Sequence, residues 1–258
     1  MTGGGCFDLT VRERISSSDG LFHSLWLEGA KWSYQPGQFL MLRPDWGLDP
    51  VWARPFSICD VSPRGLRVFF QTVGRGTAQL GRIAPGEALT AWGPLGRGFS
   101  FRSEEPILIL AGGMGLAPFV GLIRAHGRPE MIRLVFGHRA PLEAYPWGEL
   151  AERVEALELR QEFEADVAGF VLVLEREISR FGTAGPVLAC GPKPFLRTVQ
   201  RLCLDHGARG QISLENTMAC GVGACLGCVA RHRTDGLVQS CVRGPVFSVE
   251  DVDLEEGA

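Results

Sequence analysis

Apolar and polar side chains alternate from Cys6 to Ile15, with Phe7, Leu9 and Val11 on one side and Asp8, Thr10 and Arg12 on the other. A period of two is that of a strand with one buried face. Leu21 to Leu27 and Gln38 to Leu42 read as further strands, divided by the turn signals Asp19-Gly20 and Pro36-Gly37. Arg54 to Cys59, Leu66 to Thr72 and Glu87 to Trp92 continue the series, with a short helix expected from Thr77 to Ile83. Short strands at this spacing predict an antiparallel barrel of about six strands.

The pattern changes after Gly98. Ile107 to Leu110, Met131 to Phe136 and Val187 to Cys190 are continuous apolar runs, the signature of strands buried on both faces. Leu116 to His126 and Phe195 to His206 read as helices, the second with Leu196, Val199, Leu202 and Cys203 on one face, and Gln211 to Leu214 as a last strand. This alternation predicts a doubly wound α/β domain with a parallel sheet. The Glu- and Arg-rich stretch from Ala144 to Arg180 yields no secure element, and Glu250 to Glu256 reads as a solvated acidic end. From Glu215 the chain turns Cys- and Gly-rich. The expected division is thus residues 1–102, 103–214 and 215–258.

Composition narrows the classes. The chain has 258 residues, 45% of them hydrophobic, which suits one to two packed domains at roughly 150 residues each. A net charge of −3 lacks the broad basic footprint of a nucleic-acid binder. No apolar run reaches the ~18 residues of a membrane span. The Met1 to Cys6 stretch has no basic region leading into an apolar core, so a secretory signal is not expected and the cytoplasm is the default compartment.

Four of the eight cysteines crowd together with the spacing C-x4-C-x2-C-x12-C: Cys220, Cys225, Cys228 and Cys241. Three thiolates from one wrapping loop and a fourth from a returning strand suit a [2Fe–2S] cluster. Gly221, Gly223 and Gly227 supply the backbone freedom that such a loop needs. Zinc or two disulfides are the alternatives, but only Cys225 and Cys228 form a zinc-type CxxC pair. Cys6, Cys59 and Cys203 read as ordinary thiols.

Two glycine turns follow apolar strands. Gly112, Gly113 and Gly115 open a helix in Ala111 to Pro118, and Cys190-Gly191-Pro192 ends the later strand. Two such turns at strand C-termini can share one crevice for a pyrophosphate; packing alone is the rival explanation. In the barrel, Arg54-Pro55-Phe56-Ser57 joins a guanidinium, a ring and a hydroxyl, and Gly74-Arg75-Gly76-Thr77 precedes a helix.

In this order, with Gly93-Pro94-Leu95-Gly96 between them, these motifs resemble the ferredoxin–NADP reductase-like flavoproteins. With the C-terminal cysteines added, the chain resembles the electron-transfer subunits of NAD-dependent dihydroorotate dehydrogenase. The resemblance implies an FAD-binding antiparallel barrel, an NAD-binding parallel-sheet domain and a small [2Fe–2S] module. It assigns Arg54 to the FAD pyrophosphate, and Phe56 and Ser57, beside Pro55, to the flavin ring. Phe70, Gln71, Gly76 and Thr77 complete the cradle. Gly112, Gly113 and Gly115 fall at the NAD(H) pyrophosphate, and Cys190, Gly191 and Pro192 near the nicotinamide. Cys220, Cys225, Cys228 and Cys241 become the cluster ligands. It also implies an oxidoreductase relay in pyrimidine biosynthesis, with no catalytic acid or base of its own. Dihydroorotate would be oxidised on a flavin-bearing catalytic subunit in a heterotetramer, with neither nucleic acid nor membrane as partner. A sibling relay serving hydrogenase, sulfite reductase or ferredoxin–NAD(P) transhydrogenation uses the same parts, as does a monooxygenase-type reductase. His138 and Arg139, after the second parallel strand, leave NAD and NADP both open.

Overall fold

The computed structural model describes residues 5–45, 47 and 49–254. The first four residues and the expected acidic positions Glu255 and Glu256 lie outside that set. Strands β1 (Gly5–Ser16), β2 (Phe22–Glu28), β3 (Phe39–Pro44), β4 (Arg54–Ser62), β5 (Gly65–Gln71) and β6 (Ala88–Leu95) close a six-stranded antiparallel barrel in the order β1-β2-β5-β4-β3-β6. Its inward-facing residues, among them Leu9, Leu25, Leu40, Ile58 and Val68, form one core. Helix α1 (Arg75–Leu80) lies between β5 and β6, two residues earlier than the sequence pattern suggests. The alternation of β1 breaks at a register shift between Val11 and Glu13, which leaves Ile15 exposed.

The next part runs β7 (Ile107–Gly112), α2 (Phe119–Ala125), β8 (Ile132–His138), α3 (Gly148–Ala151), β9 (Glu155–Arg160), α4 (Glu164–Phe181), β10 (Val187–Cys190), α5 (Lys193–Asp205) and β11 (Gly210–Ser213). Strands β9, β8, β7, β10 and β11 lie parallel in that order. Successive residues of β7 serve opposite faces: Ile107 and Ile109 join a core with α2, whereas Leu108 and Leu110 join one with α4 and α5. The sheet is therefore covered on both sides, as its continuous apolar runs require. The unassigned Ala144 to Arg180 stretch holds α3, β9 and α4.

The last part comprises β12 (Val229–His232), β13 (Gly236–Gln239), α6 (Ser240–Arg243), β14 (Val246–Ser248) and β15 (Val252–Asp253). β13, β12 and β15 make a small sheet of their own. β14 instead returns to the large sheet as an antiparallel edge strand on β11. The expected solvated tail is also partly structural, since Val252 and Leu254 are buried with α5. Barrel and α/β layer share a core in which Phe22, Cys59 and Phe69 meet Phe119 and Phe136. At its margin Arg124 of α2 pairs with buried Asp60 of β4, and Glu149 of α3 lies 2.5 Å from Arg67 of β5.

Candidate functional site

β7 leads to β8 and β9 on one side, and the chain then crosses to β10 and β11 on the other. The order reverses between β7 and β10, and a doubly wound sheet opens a crevice at such a point. Ala111 and Cys190 are register partners there, so the two glycine turns leave neighbouring strand ends. Gly113 has φ +53°, and a Cβ on it would meet no atom within 4 Å, so it faces open space. Gly115 answers a different need: a Cβ there would fall 2.1 Å from the Cys190 carbonyl oxygen. A Cβ on Gly191 would come within 3.1 Å of the Gly112 backbone, so the turns are in contact.

Over this crevice lies a cavity of about 640 Å³. The barrel contributes Phe22, Gln71 and Val73 to its wall, the sheet end Gly112, Gly113 and His138, and the helical side Phe170, Pro192 and Phe195. Cys190 is not in that wall. It is 1% exposed, and burial followed by the nearby Glu215 carboxylate pushes its thiol far above the ordinary range. The protonated thiol is thus a packing group beneath the crevice, whereas Pro192 is at its surface.

On the barrel, Arg54 reaches the N-terminal turn of α1, and a Cβ on Gly76 would lie 2.6 Å from its Nε. Its Nη1 donates to the Trp52 carbonyl at 2.8 Å, which fixes the guanidinium at the start of β4. Thr77 is occupied locally: its hydroxyl oxygen accepts from the Val73 and Gly74 N–H groups and its O–H returns to the Gly74 carbonyl. Phe56, expected along the flavin ring, and Phe70, expected in the FAD cradle, lie in the barrel core with ring centroids 5.1 Å apart. Strand alternation places half-buried Pro55 and Ser57 on the opposite face of β4 from Phe56. The aromatic pair therefore supports the strand from below; Arg54, Pro55, Ser57 and Gln71 remain partly exposed, and buried Gly76 lies under the guanidinium.

The four cysteines fall into two hydrogen-bonded pairs, close enough together that Cys220 also acts on Cys241. Cys220 is hydrogen-bonded with Cys225, and Cys228 with Cys241. Among the described residues no three His, Cys, Asp or Glu side chains converge as a single metal ion needs. Two thiols for each of two irons is the requirement of a [2Fe–2S] unit, and this donor set fits it. Burial raises the Cys220 thiol, but the N–H groups of Val222 and Cys225, each 3.4 Å from its sulfur, help bring it down to about 7. Burial, then the adjoining Cys228, lifts Cys241 to about 12. Gly221 and Gly223 take positive φ as the loop demands, but the third such position is Leu226 at +57°, not Gly227. Cys228 and Cys241 pack on Phe39, Met41 and Ala53 of the barrel.

Residues 215–253 match the family described as the iron–sulfur cluster binding domain of dihydroorotate dehydrogenase B. The dihydroorotate dehydrogenase B (NAD(+)) electron transfer subunit homolog of Aquifex aeolicus is 35% identical over 224 residues, 85% of this chain and 86% of the relative. The corresponding electron transfer subunit of Caldanaerobacter subterraneus subsp. tengcongensis is 33% identical, covering 84% and 86%. The chain belongs to the family of dihydroorotate dehydrogenase B electron transfer subunits. Among solved structures, the NADH-dependent reduced ferredoxin–NADP oxidoreductase superposes with a TM-score of 0.78 at 21% identity, over 99% of this chain and 92% of that one. A ferredoxin reductase of carbazole 1,9a-dioxygenase gives 0.66 at 21% identity, over 80% and 67%. Both share the fold.

Within this family frame the structure adds Glu215, which the residue pattern did not single out. It walls the main cavity and also a second one of about 310 Å³ against β12 and α5. Enclosure by protein raises its carboxyl although it faces the cavities. The available signal was its place, the one acid between the last parallel strand and the cysteines. His138 has a partner that the residue pattern does not show: its Nε2 lies 2.6 Å from Glu158, while Nδ1 is 2.8 Å from the Ala140 carbonyl.

Proposed function

We propose that this chain carries electrons between a dihydroorotate dehydrogenase catalytic subunit and NAD, through a [2Fe–2S] cluster and FAD, in pyrimidine biosynthesis. The observation that carries this reading is the seat of the paired cysteines directly on the FAD-type barrel, with the nucleotide crevice on the neighbouring sheet. When bound, FAD exchanges a hydride with nicotinamide and passes electrons singly to an iron–sulfur partner. Arg54 would grip its pyrophosphate, with Gly76 leaving room for the guanidinium. Ser57, Pro55 and Gln71 would line the flavin. Gly112 and Gly113 would admit the NAD pyrophosphate, and Pro192 and Glu215 would border the nicotinamide. His138, held by Glu158, sets a carboxylate where a 2′-phosphate would otherwise be read, which favours NAD.

Residues 1–102, 103–214 and 215–258 would be the FAD, NAD and cluster parts, with β14 lent back to the middle one. Val222, Leu226 and Val242 are exposed around the ligand cysteines and form an apolar face for the catalytic subunit of a heterotetramer. That subunit, not this chain, would hold the groups that oxidise dihydroorotate. Reduced cysteines suit the cytoplasm, and no helix among the described residues is long and apolar enough to cross a membrane. The deciding variant is Cys225→Ala in the reconstituted complex. Flavin reduction by NADH should persist while dihydroorotate-to-NAD turnover stops. Turnover that survives cluster loss would refute the path.

A further inference from the structure

The end of β6 and the turn after it touch both extremes of the cysteine set. Trp92 donates from its indole N–H to the Cys220 carbonyl at 3.0 Å, across 128 positions of sequence. Leu95 lies under the next residue: a Cβ on Gly221 would fall 3.1 Å from Leu95 Cδ1 and 2.7 Å from Met41 Cγ. Arg97 N–H donates to the Gly244 carbonyl, and Arg97 bridges to Pro245. Gly96 permits that approach, since a Cβ there would come 2.4 Å from the Gly244 oxygen. One stretch of barrel thus holds the chain beside Cys220, the first ligand, and just beyond Cys241, the last.

The Cys220 carbonyl and the Gly221 N–H belong to one peptide plane. Its orientation sets the path through Gly221, at φ +72°, that brings the Val222 and Cys225 N–H groups back to the Cys220 sulfur. Hydrogen bonds to ligand sulfurs are a principal control of iron–sulfur potential, because they favour the more negative, reduced state. We propose that Trp92 is a positioning residue for the cluster: its indole N–H holds the Cys220 peptide so that two amides stay aimed at the Cys220 sulfur, and this raises the reduction potential of the cluster. The inference rests on the [2Fe–2S] reading of the four cysteines.

The test uses the full chain purified with FAD and cluster. Trp92→Phe removes the donor while keeping an aromatic ring in the barrel wall, and Trp92→Ala removes the ring as well. A redox titration followed by electron paramagnetic resonance should give a more negative midpoint and altered g-values for the reduced cluster. FAD content and flavin reduction by NADH should match the unsubstituted protein. An unchanged midpoint and line shape in Trp92→Phe would overturn the proposal. So would changes confined to Trp92→Ala, which would assign the effect to ring packing. If the unsubstituted chain gave no reduced [2Fe–2S] signal, the cluster reading itself would fall, a failure distinct from an unresponsive Trp92.

Discussion

Gly113 and Gly115 stand two positions apart in one turn, yet they answer to different neighbours. The first faces the cavity, and the second meets the Cys190 carbonyl. Gly113→Val should cost about 1–3 kcal/mol for its positive φ and push methyl groups into the crevice. Stopped-flow reduction by NADH should slow strongly while FAD stays bound; unchanged kinetics would place the nucleotide elsewhere. Gly115→Ala should lower the thermal midpoint further, because the added carbon can fit only if the two strand ends move apart. Arg54→Ala removes charge-assisted hydrogen bonds worth about 3 kcal/mol, on the order of a hundredfold in FAD affinity. Flavin absorbance should fall with the cluster intact, and full FAD occupancy would reject the barrel assignment. The sequence motif singled out this turn and this arginine as candidates. It did not reveal that Thr77 satisfies its own loop, or that Phe56 and Phe70 are core residues, because both depend on what lies across the barrel.

Helix α4 shows why one element escaped the hydrophobic pattern. Its buried face carries Phe170, Leu174 and Ile178, about one apolar side chain per turn, beside a buried acid, Glu177. Leu172, meanwhile, is exposed. An apolar residue outside and a charge inside blur the 3.6-residue period that betrays a helix. Edge strand β9 is equally obscure, since its Glu and Arg side chains look outward. The barrel strands were legible because turns and alternation agree there. Burial works against ionisation of Glu177, but hydrogen bonds from Arg133 and Arg176 hold its carboxyl below the usual 4.5. A depressed folded pKa stabilises above the unfolded value and loses that contribution as pH falls through the folded one. Glu177→Ala should therefore cost about 2 kcal/mol at neutral pH, since it removes charge-assisted hydrogen bonds from Arg133 and Arg176 while Arg133 keeps Glu155. Denaturant titrations at pH 7 and at pH 3 check this, and the gap between variant and parent should narrow in acid. An equal gap at both would reject the ion-pair account.

At the scale of the whole molecule, the cluster part is woven in rather than appended. Val246, Phe247, Val249, Val252 and Leu254, all beyond the last cysteine, are buried in the cores of the large sheet. At about 1.5–3 kcal/mol each, their loss amounts to about 10 kcal/mol, comparable with the net stability of a domain. A chain ending at Gly244 should show no cooperative unfolding of the nucleotide part and no NADH binding; calorimetry and NADH titration would show it. The sequence placed the cysteines in a module after Glu215, but a three-residue strand returning to the sheet leaves too short a pattern to read. The register of that return has a further consequence. Ser213 pairs with Val246, and the Leu214 N–H donates to the Pro245 carbonyl at 2.9 Å. The segment from Glu215 to Gly244, with all four cysteines, is therefore the loop of a single antiparallel hairpin, entering and leaving through positions about 5 Å apart. A two-residue Asn-Gly turn spans that gap. The electron carrier thus sits in a cassette at a hairpin tip: replacing it by such a turn would keep the strand order of the large sheet, but would uncover Phe39 and Met41 on the barrel and leave β15 without its partner β12.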